Sequence, residues 1–366
     1  MRRQAGYWRH HEELIWLIPV AGATAMLFLA ADLLGRAHGI TAASVLADYG
    51  WKALRVLPLL VALVSIAVLG RAILAGGPGP LRALAHMLRA RFGSPLLALA
   101  GVAPLALMPV MFSGFGVLKM LLPIYAPFAW DDAFAAADRA LFFGRQPWEL
   151  THALLGGVPA TLAIDRIYTL WILALSAAIT GFSLFVPRYD RARFFLAFTA
   201  AWLLLGVVGA WLFSSAGPCY AALVGASAAG DFAPLIDRLA AMSATRAPLG
   251  AVEWQQLLWD AHAGRRYGFG MGISAMPSLH NAVAMLYALA LSRFGRGAAI
   301  AGWAFAALIF IGSIHLGWHY AVDGLAASAA MLAIWWAAGR YLDRSGYAVA
   351  VRGEAAIPVA TVPALA

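Results

Sequence analysis

The chain has 366 residues, of which 63% are hydrophobic and only 12% charged, about half the charged share of an ordinary soluble domain. With a mean hydropathy of +0.79, this excludes a soluble globular protein and reads as an all-α, polytopic membrane helix bundle. The net charge of +9 does not point to nucleic acid, because the arginines are scattered among the ends of apolar runs and form no basic, aromatic-studded surface.

In chain order, apolar runs of bilayer-spanning length, about 20 residues each, cover 14–34, 56–74, 95–117, 159–186, 194–213, 278–294, 298–318 and 320–341. These predict eight transmembrane helices: a two-helix extension over 1–94 and a six-helix catalytic core over 95–341. The tail over 342–366, with Pro358 and Pro363, is expected to be disordered. The first run is longer than the core of a signal peptide and lacks a small-residue cleavage site, so it is expected to remain as a helix. No internal repeat and no second soluble domain is visible. The single cysteine, Cys219, excludes an intramolecular disulfide and a cysteine-built zinc cage, and reads as a small packing residue.

Counted side by side, the segments that share a face with the amino terminus carry 15 Lys+Arg against ten on the other face. Short loops rich in Lys and Arg stay in the cytoplasm. Both termini are therefore expected in the cytoplasm, with the chain in the plasma membrane, the inner membrane in a bacterium. Two longer segments fall on the outer face. Residues 123–157 carry Asp131, Asp132, Asp138 and Arg139 beside Leu141, Phe142 and Phe143, the pattern of a short helix lying in the interface. Residues 215–277 contain Trp254, Trp259, Arg265 and Arg266; a loop of that length is more often functional than idle.

The residues suited to phosphoryl chemistry fall on the same outer face. A helix starting near Pro277 offers free backbone N–H groups and a positive dipole end to an anion. Ser278 adds a hydroxyl donor, and His280 lies in the first turn. Alone, this segment also fits a serine-capped helix whose histidine faces interfacial water. His319 and Asp323 are helical neighbours four residues apart. A carboxylate bonded to one ring nitrogen fixes the tautomer and leaves the other nitrogen free to attack phosphorus, although the pair alone also fits an interface anchor. Matching groups on two separate helix ends favour the chemical reading. His315 completes a His-x3-His-x3-Asp array, a possible metal face, but the other six histidines do not cluster with it. A hydrogen-bonding role beside the phosphate site, with Ser278, suits it better. No metal and no other cofactor is expected.

Pro277-Ser278-Leu279-His280 resembles the PSGH motif, and Leu316-Gly317-Trp318-His319-Tyr320-Ala321-Val322-Asp323 the second half of the SR-x5-H-x3-D motif, of the type 2 phosphatidic acid phosphatase superfamily. More narrowly, these segments resemble the branch containing fungal inositol phosphorylceramide synthase and its bacterial relatives, as do Asp138-Arg139 through Pro147-Trp148 and Gly217-Pro218-Cys219-Tyr220. The similarity covers roughly residues 110–335. The resemblance implies that His319 is the nucleophile and forms a phosphohistidine, that Asp323 orients it, and that His280 is general acid and then general base. Gly312-Ser313 stands where the superfamily has Ser-Arg, and no K-x6-RP motif lies near Gly217-Pro218. Those cations normally neutralise phosphate oxygens. Another cation is therefore expected, in the order Arg266, Lys119, Arg265, the arginines being close to His280 in sequence and able to offer a bidentate fork. Each also fits an ordinary interfacial anchor.

The expected function is transfer of a phosphoryl or phospho-head-group from a phospholipid or lipid phosphate to a lipid or alcohol acceptor at the outer face of the bilayer. With water as acceptor the same residues make a lipid phosphatase of the phosphatidate or isoprenyl phosphate type. A non-enzymatic lipid-binding or transport protein with interfacial histidines is the alternative from another class.

Overall fold

The computed structural model describes residues 10–48, 50–51, 58, 62, 65–66, 70, 92–244, 248–264, 266, 268 and 270–355. Most of the expected span over 56–74, Arg265 and the last eleven residues lie outside them. All regular structure among the described residues is helical. In chain order the helices are α1 (Leu14–Arg36), α2 (Pro95–Tyr125), α3 (Asp131–Leu141), α4 (Pro147–Leu155), α5 (Val158–Leu184) and α6 (Arg188–Leu212). They continue with α7 (Ala229–Ser243), α8 (Gly250–Ala263), α9 (Leu279–Leu291), α10 (Arg296–His315), α11 (Ala321–Arg344) and α12 (Tyr347–Ala355).

Six of these, α1, α2, α5, α6, α10 and α11, are long and apolar enough to cross a bilayer, which makes the chain a polytopic membrane helix bundle. The run over 278–294 forms the shorter α9, 13 residues or about 20 Å long. Local signals set several boundaries. Ser94 caps α2 by accepting from the Leu97 amide, with Pro95 at the first helical position. Over Trp202–Gly209 α6 widens into a π-helix, and there Gly209 faces the Pro277 ring so closely that a Cβ at 209 would sit 2.9 Å from it. That absent side chain lets the start of α9 pack directly on α6.

The spanning helices and α9 share one apolar core, with Phe194, Phe198, Leu286 and Met331 fully buried in it. In a bilayer such packing stabilises through close van der Waals contact, since lipid tails are as apolar as the side chains. The two ends of the bundle differ in character. At the end holding the start of α1, the fully buried Glu13 receives Arg188 at 2.6 Å and Arg191 at 3.0 Å. Here α11 runs on to Arg344, and α12 follows. Tyr347 is fully buried and donates to Glu13 Oε1 at 3.0 Å, which anchors the start of α12 on a buried carboxylate. At the opposite end sit α3, α4, α7 and α8. Asp165 of α5 accepts from the Gly250 and Ala251 amides, at 2.9 and 2.8 Å, and so caps α8.

Candidate active site

The turn between α10 and α11 carries His319. Gly317 follows the last turn of α10 with φ +74°, the left-handed conformation that closes a helix and that a Cβ would strain. Beyond it, the Trp318 and His319 amides both donate to the Ser313 carbonyl at 3.0 Å. The chain thus reverses with His319 fixed at the turn's end. One turn into α11, Asp323 Oδ2 accepts from the Tyr320 amide at 3.1 Å and lies 3.4 Å from His319 Nδ1. That length is ordinary for a catalytic contact without substrate. The arrangement commits Nδ1 to the carboxylate and leaves Nε2 of His319 free.

His280 stands opposite, in the first turn of α9. Its ring lies 6.0 Å from that of His319. Two aromatic rings of α5 hold it: Tyr168 stacks on it at 5.1 Å and Trp171 leans against it at 4.2 Å. The Trp171 indole N–H also donates to the His280 carbonyl at 3.2 Å. Ser278 is fully buried beneath as the N-cap of α9, its oxygen accepting from the Asn281 amide at 3.4 Å and side chain at 3.0 Å. The Asn281 side chain also reaches the Ser313 hydroxyl at 3.2 Å, which ties α9 to α10 just below the two histidines.

His280 and His319 line one cavity of about 480 Å³, together with Lys119 of α2. Among the described residues Lys119 has no hydrogen-bond or ion-pair partner, so its ammonium is a cation set free in a largely apolar slot. The cavity runs along α2 as far as Leu105 and along α5 as far as Thr180. Arg266 is exposed and does not line the cavity; Arg265 lies outside the described residues. His315 also lies apart. It is fully buried, with its ring nitrogens 3.2 and 3.0 Å from the Thr151 and Thr161 hydroxyls and its face stacked on His152 at 3.9 Å. Burial lowers the pKa of His152, which favours a neutral ring in that stack. Among the described residues no three His, Cys, Asp or Glu side chains stand close enough to hold a metal ion.

A family model described as the PAP2 superfamily matches residues 132–337. The chain belongs to the PAP2 superfamily. Among curated proteins and among solved structures nothing matches it. Membership in the PAP2 superfamily gives the chain an activity of the lipid phosphatase or phosphotransferase kind, on a lipid substrate in the membrane. The match spans both histidines, Asp323 and most of the cavity lining but not the α2 wall with Lys119, and it begins within α3.

In this PAP2 superfamily chain, sequence reasoning gave no site role to four side chains that shape the site. Tyr168 and Trp171, which grip His280, read simply as apolar residues of a span. Asp131 and Asp138 read as the polar face of an interfacial helix, yet both are buried. Asp138 accepts from the Ala321 and Val322 amides at 2.7 and 2.9 Å. Burial, with the nearby Asp323 charge adding to it, pushes the Asp138 carboxyl up to about 7. Asp131 accepts from the Ala216 and Gly217 amides at 2.9 and 2.8 Å and from the Tyr320 hydroxyl at 3.0 Å. The signal available was their spacing: seven residues on a helix return to one face.

Proposed function

We propose that the chain is a lipid phosphotransferase that works through a phosphohistidine on His319. The observation that carries this reading is the pair of imidazoles 6.0 Å apart on a cavity that also holds an unpaired lysine. His319 Nε2 attacks phosphorus, and the bond from phosphorus to the leaving oxygen breaks as His280 protonates that oxygen. His280 then removes the proton from an acceptor hydroxyl, whose oxygen displaces His319 from phosphorus. Asp323 holds the Nδ1 proton and stabilises the imidazolium. The Lys119 ammonium and the N–H groups at the start of α9 face the charge on the phosphate oxygens. The likeness of 138–148 and 217–220 to inositol phosphorylceramide synthase favours an alcohol or lipid acceptor over water.

Brief incubation with phosphorus-labelled lipid phosphate, followed by alkaline quenching, should trap label on His319. Product analysis with and without alcohol acceptors then separates transfer from hydrolysis. A chain that never takes up label is a binding or transport protein and ends this reading. Because every group invoked on phosphate is an imidazole, an ammonium or a backbone amide, turnover should survive EDTA. Loss of turnover on chelation, restored by zinc or manganese, would return His315 and His319 to consideration as ligands.

The excess of Lys and Arg on the face of the termini favours an active site at the outer leaflet. Leu223, 54% exposed in the loop between α6 and α9, tests this directly. In a Cys219→Ser background, Leu223→Cys should react with an impermeant maleimide added to intact cells. Labelling only after permeabilisation reverses the orientation.

A further inference from the structure

We propose that α3 is the positioning element of the nucleophile, with Asp138 and Asp131 holding the turn that presents His319 without touching substrate. The inference rests on the reading of His319 given above.

The first N–H groups of any helix lack partners within it. In α11 two of these, on Ala321 and Val322, point at the two carboxylate oxygens of Asp138, 183 and 184 residues away in sequence. Bonds from amides to a carboxylate are among the stronger kind. Seven residues back along the same face of α3, Asp131 takes the Tyr320 hydroxyl at 3.0 Å. The Tyr320 ring is packed between Phe134 of α3, at 6.2 Å, and Phe232 of α7, at 5.6 Å. The three residues that follow His319 are therefore each tied to α3, and the residue itself is tied to Ser313 by its amide. Helix α3 is in turn fastened to α7, since Arg139 pairs with Asp231 at 2.7 Å. Asp131 reaches further, through the Ala216 and Gly217 amides, to the segment following α6. An interfacial helix thus sets the position of the nucleophile relative to two spans. Displacement of a reacting group by about 1 Å can cost a hundredfold in rate, so this anchoring has catalytic consequence.

Asp132 supplies the control. It lies on the same helix and makes the same kind of bond, to the Ala228 amide at 2.8 Å, but among the described residues it has no hydrogen bond to the His319 turn. The full-length protein in detergent would be titrated with orthovanadate, which adopts the five-coordinate geometry of phosphorus under attack and requires no knowledge of the natural lipid. Asp138→Asn should weaken vanadate binding about ten- to a hundredfold. With phosphatidate micelles as substrate, kcat should fall by a similar factor while KM stays within about threefold, the mark of an interaction that matters only in the transition state. Asp138→Glu should recover part of the loss, and Asp132→Asn should match wild type. Should Asp138→Asn fail to fold, Tyr320→Phe, which removes one hydroxyl, carries the test with an expected several-fold weakening. Wild-type affinity in both Asp138→Asn and Tyr320→Phe, or equal losses in Asp132→Asn and Asp138→Asn, overturns the proposal. If wild type itself binds no vanadate, or binds it equally well as His319→Ala, then the nucleophile has been misread and the positioning role falls with it.

Discussion

His319→Ala is expected to abolish both the phosphohistidine and steady-state turnover while leaving the protein folded. The ring sits at the end of a turn whose backbone bonds do not use the side chain, so its removal should leave the fold intact, as size-exclusion behaviour and thermal melting in detergent would show. Asp323→Asn should also fold, with kcat reduced by about 10⁴, the scale on which losing the orienting carboxylate of an imidazole acts in other enzymes. That factor corresponds to about 5.5 kcal/mol of transition-state stabilisation. Turnover near wild type in His319→Ala would sink the mechanism outright.

Lys119→Ala is expected to lower kcat/KM about a hundredfold, or about 2.7 kcal/mol. A phosphate ester losing its leaving group carries two or more negative charges, while a helix terminus supplies only about half a unit of positive charge. Of the two cations weighed from sequence that lie among the described residues, Lys119 lines the cavity with His280 and His319 and Arg266 does not. Lys119→Arg should restore part of the loss, and Arg266→Ala should stay within about threefold of wild type. If Lys119→Ala leaves kcat/KM unchanged while Arg266→Ala depresses it, the exposed arginine closes over the substrate and the assignment made from the cavity is wrong.

Six of the eight expected spans were legible because a bilayer demands long apolar runs; among the described residues only α9 came out short, and most of 56–74 lies outside them. His280, His319 and Asp323 stood out for a related reason: ionisable groups are rare in such a chain, and three of them met at one face. The ranking of the cations from sequence rested on proximity along the chain. Arg266 lies close to His280 along the chain, but Lys119 reaches the cavity from a helix that ended more than 150 residues earlier. His315 was singled out by its helical spacing. It shares the periodicity of His319, yet α10 ends at His315 and the Gly317 turn sends the two rings apart. The bonds of Asp138 to the start of α11 span nearly half the chain, and no local pattern announces which amides a buried carboxylate will find. Burial of Tyr347 against Glu13 was hidden in the same way, because its partner lies at the other end of the sequence.

The slot beside the two histidines has a kinetic meaning. From Lys119 to Leu105 it follows α2 for fourteen residues, about 21 Å, some two-thirds of a hydrocarbon core about 30 Å thick. A lipid whose chain lies along that length is drawn from the leaflet and never enters bulk water. The variable the enzyme senses is then the mole fraction of lipid in its own surface, independent of how much lipid the test tube holds. In mixed micelles, adding inert detergent at constant total lipid should slow the reaction by surface dilution, and adding more micelles of the same composition should leave the rate per enzyme unchanged.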